Sequence, residues 1–179
     1  WAHVLMTLAQ HSLSNSEQTI EHFRGLTADL LLQRGWKLVT AESCTGGLIA
    51  ATCTDLAGSS EWFERGFVTY SNAAKTELLG VDAALIAAHG AVSEPVVRAM
   101  AQGALAHSHA QVAVAVTGIA GPGGGTTERP VGTVWLAWAT ATRLETACQQ
   151  FTGDRTAVRK ATLRLALQHL SAWADTTTQ

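Results

Sequence analysis

A continuous apolar run of strand length, residues 112–117 (VAVAVT), limits the possible folds of this chain more than any other stretch. A strand that is apolar on both faces is typical of the interior of a sheet that helices cover on both sides. Helical patterns lie before and after this run, and further strand-like runs alternate with them. The pattern predicts an α/β domain, a three-layer α/β/α sandwich around a mixed sheet of about five strands.

The spacing of apolar side chains and the capping residues predict the other elements. Helices are expected from a capping box at 14–17 to Gly35, and at about 47–56, 72–79, 82–88, 93–108 and 154–173. Strands are expected at about 36–41, 66–71, 131–139 and 144–151. Asn72 is predicted to be the N-cap of the helix that follows it, which would place Lys75 at the third helical position.

We expect one domain at 16–173, with 1–15 as a flexible extension or cloning remnant, Met6 as a candidate native start, and 174–179 as a tail. The composition, 47% hydrophobic and 15% charged residues in a chain of 179, suits one globular domain. The net charge is -2 and no basic stretch occurs, which argues against a nucleic-acid partner. No apolar run approaches the roughly 20 residues that cross a bilayer, so no membrane partner is expected.

The three cysteines, Cys44, Cys53 and Cys148, are an odd number without the spacing of a zinc site or a disulfide framework. This usage, together with the absence of a signal-peptide pattern, predicts a cytoplasmic protein. The histidines show no metal-ligand spacing either, so no metal is expected. Six tryptophans make a homodimer a reasonable expectation.

Residues 41–47 (AESCTGG) place a hydroxyl where a strand ends and two glycines where a helix begins. Free N–H groups at a helix N-terminus favour a phosphate or a developing oxyanion. Read locally, Ser43 or Thr45 is more simply the N-cap of that helix. Cys44 is a rival nucleophile, and its alternative role is that of a small buried thiol.

Two further polar segments follow strands: Tyr70 to Lys75, and Thr117 with the glycine-rich loop 118–125. Ligand crevices of open α/β sheets form beyond the carboxyl ends of the strands, so the three segments are expected to build one site. A partly buried lysine near a helix N-terminus has a depressed pKa and can act as base for a serine hydroxyl. A solvated lysine and a surface aromatic remain the alternatives for Lys75 and Tyr70.

The glycine-rich loop does not match a P-loop because no Gly-Lys-Ser/Thr follows it. It could still offer backbone donors to a nucleotide, or it could be a flexible connection. Arg129 and Arg155 are candidates for contact with a phosphate or a carboxylate, and the alternative for each is a surface charge.

Together these segments resemble the CinA C-terminal domain family, whose enzymatic members are nicotinamide-mononucleotide deamidases of the PncC type. The matching stretches are 40–47 (TAESCTGG), 57–72 (AGSSEWFERGFVTYSN), Lys75, 89–93 (HGAVS), 118–122 (GIAGP), 130–134 (PVGTV) and 153–155 (GDR). Larger members carry an additional N-terminal domain, for which this chain has no room, so the stand-alone deamidase form is expected.

The resemblance implies hydrolysis of the carboxamide of nicotinamide mononucleotide to nicotinate mononucleotide and ammonia, a step of NAD salvage, without a cofactor. It implies Ser43 as nucleophile, Lys75 as its base and Tyr70 as an assisting group. The resemblance also matches Arg155 to the family's arginine after Gly-Asp. The residues predicted to bind the substrate are Cys44, Thr45, Gly46, Gly47, Thr117, Gly118, Gly121, Gly123 and Arg155.

Two positions depart from the family pattern. The family loop usually reads Gly-Pro-Asp-Gly, whereas residues 121–124 (GPGG) lack the carboxylate, and Thr117 stands where serine is frequent. The missing carboxylate keeps two alternatives open. One is a module, linked to competence and DNA damage, that binds a nucleotide or a partner without turnover. The other is hydrolysis of a different nucleotide amide or ester.

Overall fold

The computed structural model describes residues 19–176, and the side chains of residues 19–173. Within that range six α-helices and five strands follow one another along the chain. They are α1 (19–34), β1 (Leu38–Glu42), α2 (Leu48–Thr54), β2 (Phe63–Val68), α3 (Asn72–Leu79), α4 (Ala83–His89), α5 (Glu94–Ala106), β3 (Val112–Gly118), β4 (Thr133–Ala139), β5 (Leu144–Gln150) and α6 (Arg155–Thr176). The capping box expected at 14–17 and the extension expected at 1–15 lie outside the described residues.

The five strands form one mixed sheet in the order β2-β1-β3-β4-β5. β1 runs parallel to both β2 and β3, while β4 and β5 add as antiparallel neighbours. β3 therefore lies in the middle of the sheet, and its residues 112–117 are all buried. The α/β class with a mixed five-stranded sheet, predicted from the sequence, is confirmed.

Helices cover both faces of the sheet, which produces two separate cores. Val112, Val114 and Val116 of β3 face the core that contains side chains of α1, α2 and α6. Ala113 and Ala115 face the other core, with side chains of α3, α4 and α5. The small alanines let α5 pack closely on the sheet, whereas the bulkier valines fill the space under α1, α2 and α6.

Two predicted boundaries near Lys75 are wrong. β2 ends at Val68, the partner of the last β1 residue Glu42, so Tyr70 lies beyond the strand. The N-cap of α3 is Ser71 instead of Asn72, because Ser71 has the extended backbone of a cap and its Oγ accepts the Ala74 N–H at 3.0 Å. Lys75 is therefore the fourth residue of α3, still within its first turn.

None of the helices in the described part of the chain combines the length and apolarity that crossing a bilayer requires.

Candidate active site

The three polar segments that follow β1, β2 and β3 meet at one edge of the sheet. They form a cleft of about 270 Å³, whose lining residues are Ser43, Cys44, Tyr70, Gly118, Ile119, Ala120, Gly121, Gly123, Gly124 and Arg155. Four other clefts are larger, with volumes of about 390, 440, 540 and 1130 Å³. None of them contains a hydroxyl in contact with a buried amine among the described residues, so we take the smaller cleft as the candidate active site.

Ser43 and Lys75 contact each other at the base of this cleft. Lys75 Nζ lies 3.1 Å from Ser43 Oγ, and it also lies 3.0 Å from the Thr69 carbonyl oxygen and 3.2 Å from that of Tyr70. Lys75 is only 1% exposed. Burial lowers the pKa of Lys75 below its usual range because the low-dielectric interior disfavours the ammonium.

Lys75 Nζ has three oxygen partners, on Ser43, Thr69 and Tyr70. A neutral amine carries two N–H donors and one lone pair, while an ammonium carries three donors. The carbonyl oxygens of Thr69 and Tyr70 take up the two donors. If the amine is neutral, its lone pair faces the Ser43 hydroxyl, whose oxygen lies 3.1 Å from Nζ. This is the arrangement that a general base for a serine nucleophile requires.

The neighbouring thiol of Cys44 is a poor nucleophile in this setting. Cys44 is buried, and burial raises the pKa of its thiol to about 11, although Arg159 and Arg155 pull it the other way. The thiolate is the reactive form of cysteine, so it is scarce near neutral pH. The geometry therefore favours Ser43 over Cys44.

Glu42, to which the sequence pattern assigned no role, caps α2 from inside the protein. One carboxylate oxygen accepts the Ile49 N–H at 2.8 Å and the Thr45 hydroxyl at 2.7 Å, and the other accepts the Ala50 N–H at 2.9 Å. The residue at the N-cap position is Gly47, which makes no side-chain bond. The expectation that Ser43 or Thr45 caps this helix is therefore wrong, and the Ser43 hydroxyl is free to contact Lys75.

The turn of residues 43–47 is fixed by hydrogen bonds, but some of its backbone N–H groups have no acceptor in the described part of the chain. Its Gly46 N–H donates to the Ser43 carbonyl at 3.0 Å. Gly46 and Gly47 both have positive φ, 59° and 100°, a backbone region that residues with a Cβ rarely adopt. The N–H groups of Thr45 and Gly47 have no hydrogen-bond acceptor within residues 19–176. Of the predicted substrate-binding residues in this turn, only Cys44 lines the cleft.

The glycine-rich loop after β3 forms the opposite wall of the cleft. Three of the predicted binding residues, Gly118, Gly121 and Gly123, line it. Thr117 does not, because it is 1% exposed and its hydroxyl donates to the Ala91 carbonyl at 3.0 Å. A Cβ on Gly118 would lie 2.6 Å from the Val134 side chain, so glycine allows β4 to pack directly behind this wall.

Tyr70 and Arg155 meet across the mouth of the cleft. Arg155 donates to the Tyr70 hydroxyl at 3.1 Å and to the Gly121 carbonyl at 2.8 Å. Tyr70 is 60% exposed, and its carbonyl oxygen, not its hydroxyl, contacts Lys75. Arg129 lies in a different cleft, where it donates to the His89 carbonyl at 2.6 Å.

A model of the CinA C-terminal domain matches residues 20–173. The chain belongs to the CinA C-terminal domain family. The resemblance stated from the sequence is thus confirmed, and this CinA-domain protein can be compared with named relatives and solved structures.

A protein of Enterobacter agglomerans named nicotinamide-nucleotide amidohydrolase PncC is 59% identical over 139 residues, which cover 77% of this chain and 85% of the relative. The Escherichia coli K12 protein of the same name is 58% identical over 142 residues, covering 78% and 86%. The competence/damage-inducible protein CihA from Agrobacterium tumefaciens superposes with a TM-score of 0.84 at 46% identity, covering 86% and 94% of the two chains. The protein ComA from Klebsiella pneumoniae superposes with a TM-score of 0.86 at 42% identity, covering 89% and 99%.

Sequence reasoning missed two residues that shape the site of this CinA-domain protein, Glu42 and Arg159. Arg159 donates from Nε to the Cys44 carbonyl at 3.2 Å and from a terminal nitrogen to the Thr45 carbonyl at 3.0 Å. Its position four residues after Arg155 was the available signal, because residues at this spacing share a helix face. Glu42 gave no such signal, since its partners lie up to eight residues away in a turn of irregular geometry.

The site contains no cluster that would hold a metal. Within the described residues, His, Cys, Asp and Glu side chains do not gather in groups of three or more that could hold an ion.

Proposed function

We propose that this CinA-domain protein hydrolyses the carboxamide of nicotinamide mononucleotide to nicotinate mononucleotide and ammonia. The contact of 3.1 Å between the Ser43 hydroxyl and the buried Lys75 amine carries the proposal. It supplies a nucleophile with a base of lowered pKa, which is what acyl transfer from an unactivated amide needs. The names of the amidohydrolase relatives, at 58% and 59% identity, support the same substrate.

Acyl transfer begins when Ser43 Oγ attacks the carboxamide carbon while its proton moves to Lys75 Nζ. The carbonyl oxygen becomes an oxyanion in a tetrahedral intermediate. Backbone N–H groups of the turn of residues 43–47, where Cys44 lines the cleft, are proposed to stabilise it, and losing one such donor typically costs about a hundredfold or more in rate.

Collapse of the intermediate breaks the C–N bond, and the leaving nitrogen takes one proton to depart as ammonia. Tyr70 lines the cleft, and its hydroxyl is proposed to donate this proton; because the hydroxyl does not contact Lys75, the Lys75 ammonium replaces the proton through solvent in the cleft. Water attacks the resulting Ser43 ester while neutral Lys75 takes a proton from it. The departing Ser43 oxygen recovers that proton, and the pair returns to its starting state.

The phosphate of the substrate is proposed to lie at the cleft mouth, near Arg155 and the glycine-rich loop. A guanidinium group binds phosphate through two parallel hydrogen bonds. Arg155 is exposed, and its present partners are neutral oxygens of Gly121 and Tyr70, which an anionic ligand would outcompete. The loop carries no carboxylate at 121–124 that would repel the phosphate.

Ammonia release from nicotinamide mononucleotide by wild type, Ser43→Ala and Lys75→Ala tests this function. Both variants should lose activity by a thousandfold or more, on the order expected for a nucleophile and its base. Cys44→Ala is the control and should retain activity within a few-fold, about the effect of a packing change. Near-normal turnover by both variants would overturn the assignment, and loss only in Cys44→Ala would move the chemistry to the thiol.

Substrate choice separates the proposed function from its alternatives. Rates should be highest for the mononucleotide when it is compared with free nicotinamide and the dinucleotide. Saturable binding of the mononucleotide without any turnover would instead identify a nucleotide-binding module. A homodimer and a cytoplasmic location remain predictions, which light scattering of the purified protein and cell fractionation would check.

A further inference from the structure

Arg159 of α6 makes two hydrogen bonds to the turn of residues 43–47. Its guanidinium donates to the carbonyl oxygens of two successive residues, Cys44 at 3.2 Å and Thr45 at 3.0 Å. These partners lie 115 and 114 residues away in sequence, so only the fold brings them together. The guanidinium therefore connects α6 directly to the turn that carries Ser43.

The Cys44 carbonyl sets the direction of the Thr45 N–H. In a trans peptide the C=O of one residue and the N–H of the next lie in one plane and point in opposite directions. A guanidinium that holds the Cys44 carbonyl toward α6 therefore turns the Thr45 N–H away from α6. The hydrogen bond fixes the orientation of the whole peptide plane and not only of its oxygen.

Thr45 is held at every polar group except this N–H. Its hydroxyl donates to Glu42 at 2.7 Å, and its carbonyl accepts from Arg159 and from the Leu48 N–H at 3.0 Å. The N–H alone has no acceptor among residues 19–176. Thr45 is fully buried, and a buried backbone donor that lacks a partner is rare in folded proteins. Glu42 and Arg159 therefore hold this part of the turn in one conformation.

We propose that Arg159 is a positioning residue that holds the turn of residues 43–47, and with it the Ser43 hydroxyl, in the geometry that acyl transfer requires. The proposal rests on the acyl-transfer function given above. Arg159 touches neither the substrate nor the reacting atoms in this scheme and acts only through the peptide between Cys44 and Thr45. Its removal frees that peptide to rotate, which should slow the chemical step while substrate binding stays the same.

A second cleft gives a small molecule access to Arg159, so the activity of a variant that lacks this side chain can be tested for chemical rescue. Arg159 lines a cleft of about 540 Å³ between α1, α2 and α6, away from Ser43, together with Arg24, Lys160 and Arg164. A small cation can reach the space left by a truncated Arg159 through this cleft. Free guanidinium can then replace the lost donors, since it keeps the planar arrangement of N–H groups that arginine has.

The experiment compares wild type with Arg159→Ala, Arg159→Lys and the matched control Lys160→Ala. Lys160 lines the same cleft and makes no hydrogen bond to the turn. Arg159→Ala should lower kcat about tenfold to a hundredfold with KM within about twofold, as expected when a reacting group is misplaced by about 1 Å. Arg159→Lys should fall between it and wild type, and Lys160→Ala should match wild type.

Guanidinium chloride, kept below unfolding concentrations, should restore kcat in Arg159→Ala, whereas sodium chloride at equal ionic strength should not. Thermal melting of each variant reports on folding, and the lysine variant serves if the alanine variant is unfolded. Unchanged kcat in both arginine variants, or a loss that appears in KM alone, overturns the proposal. A loss of kcat that guanidinium does not restore also overturns it.

Acylation of Ser43 by para-nitrophenyl acetate, with Ser43→Ala as blank, gives a readout that is independent of the nucleotide. A wild type that acylates with the ester but leaves the mononucleotide intact overturns the proposed substrate alone. In that case the acylation rates of the Arg159 variants still decide the present proposal, with the same expected ratios.

Discussion

The amine of Lys75 lies 3.1 Å from the hydroxyl of Ser43, although 32 residues separate them in the chain. Two carbonyl oxygens, of Thr69 and Tyr70, hold the amine in place, and both follow directly after β2. Because β1 and β2 are parallel neighbours, their carboxyl ends lie side by side. The pairing of these two strands therefore brings the proposed nucleophile and its proposed base together.

The pH dependence of turnover should follow the deprotonation of Lys75. Only the neutral amine can accept the Ser43 proton, so kcat/KM should rise with pH through the pKa of Lys75 in the folded protein. Burial lowers that pKa from 10.5, so the rise should occur at a lower pH than for a solvated lysine. A pH profile of kcat/KM that falls across the same region would contradict a neutral lysine base.

The same shift predicts a pH-dependent stability. Between the lowered pKa in the folded state and 10.5, the unfolded state binds one more proton than the folded state. Stability contributed by this group is therefore smallest at low pH and rises with pH across that window. The free energy of unfolding, measured with urea at a series of pH values, should rise more steeply with pH across that window for wild type than for Lys75→Met. Parallel curves of the two proteins against pH would exclude the linkage.

Tyr70→Phe separates the role of the Tyr70 backbone carbonyl from the role of its side-chain hydroxyl. The substitution keeps the carbonyl that holds Lys75 and removes the hydroxyl that faces Arg155 across the cleft. If the hydroxyl protonates the leaving ammonia, kcat should fall by about a hundredfold, the lower end for general acid catalysis. Steady-state kinetics would measure this, and unchanged kcat would limit Tyr70 to holding Lys75 through its backbone.

Glu42→Gln should weaken the start of α2. An amide offers one acceptor oxygen, so its NH₂ group would face one of the backbone N–H donors of Ile49 and Ala50. Leaving a buried donor unsatisfied costs about 1–3 kcal/mol in the free energy of unfolding. Glu94→Gln is the control, since its carboxylate is 44% exposed in the first turn of α5, and its cost should be below about 1 kcal/mol.

Urea unfolding measures both substitutions, and the activity of Glu42→Gln should fall because the turn of residues 43–47 loses its inner anchor. Equal stability of the two variants would show that the buried carboxylate is not needed to cap α2.

Two glycine-to-alanine substitutions should act in opposite directions. A Cβ on Gly103 of α5 would collide with the Leu79 carbonyl oxygen of α3, so Gly103→Ala should destabilise by about 1–3 kcal/mol or more. A Cβ on Gly25 of α1 would meet nothing within 4 Å, so Gly25→Ala should stabilise by about 0.5–1 kcal/mol through helix propensity. Denaturant midpoints should move in these opposite directions, and a common direction would refute the packing described between α3 and α5.

Several elements could be predicted because their physical causes are local. Gly80 ends α3 with a positive φ of 70°, as a glycine placed after a helical run indicates. The prediction of Asn72 as the N-cap of α3 was wrong because both Ser71 and Asn72 are residue types that cap helices well, and only the backbone angles distinguish them. The end of β2 was mistaken because it depends on where its partner β1 stops pairing, which the local sequence of β2 does not record.

By itself the sequence determined the architecture, since a strand buried on both faces must be apolar throughout, and β3 is. It also identified Ser43, Tyr70 and Lys75 as candidates, through their places after strands and the family pattern around them. Only the tertiary structure decided how these groups are held: Lys75 buried against two carbonyls, Glu42 beneath α2, and Arg159 behind the turn. The physical reason is that hydrogen-bond geometry depends on positions in space, and α6 reaches the turn from more than a hundred residues away.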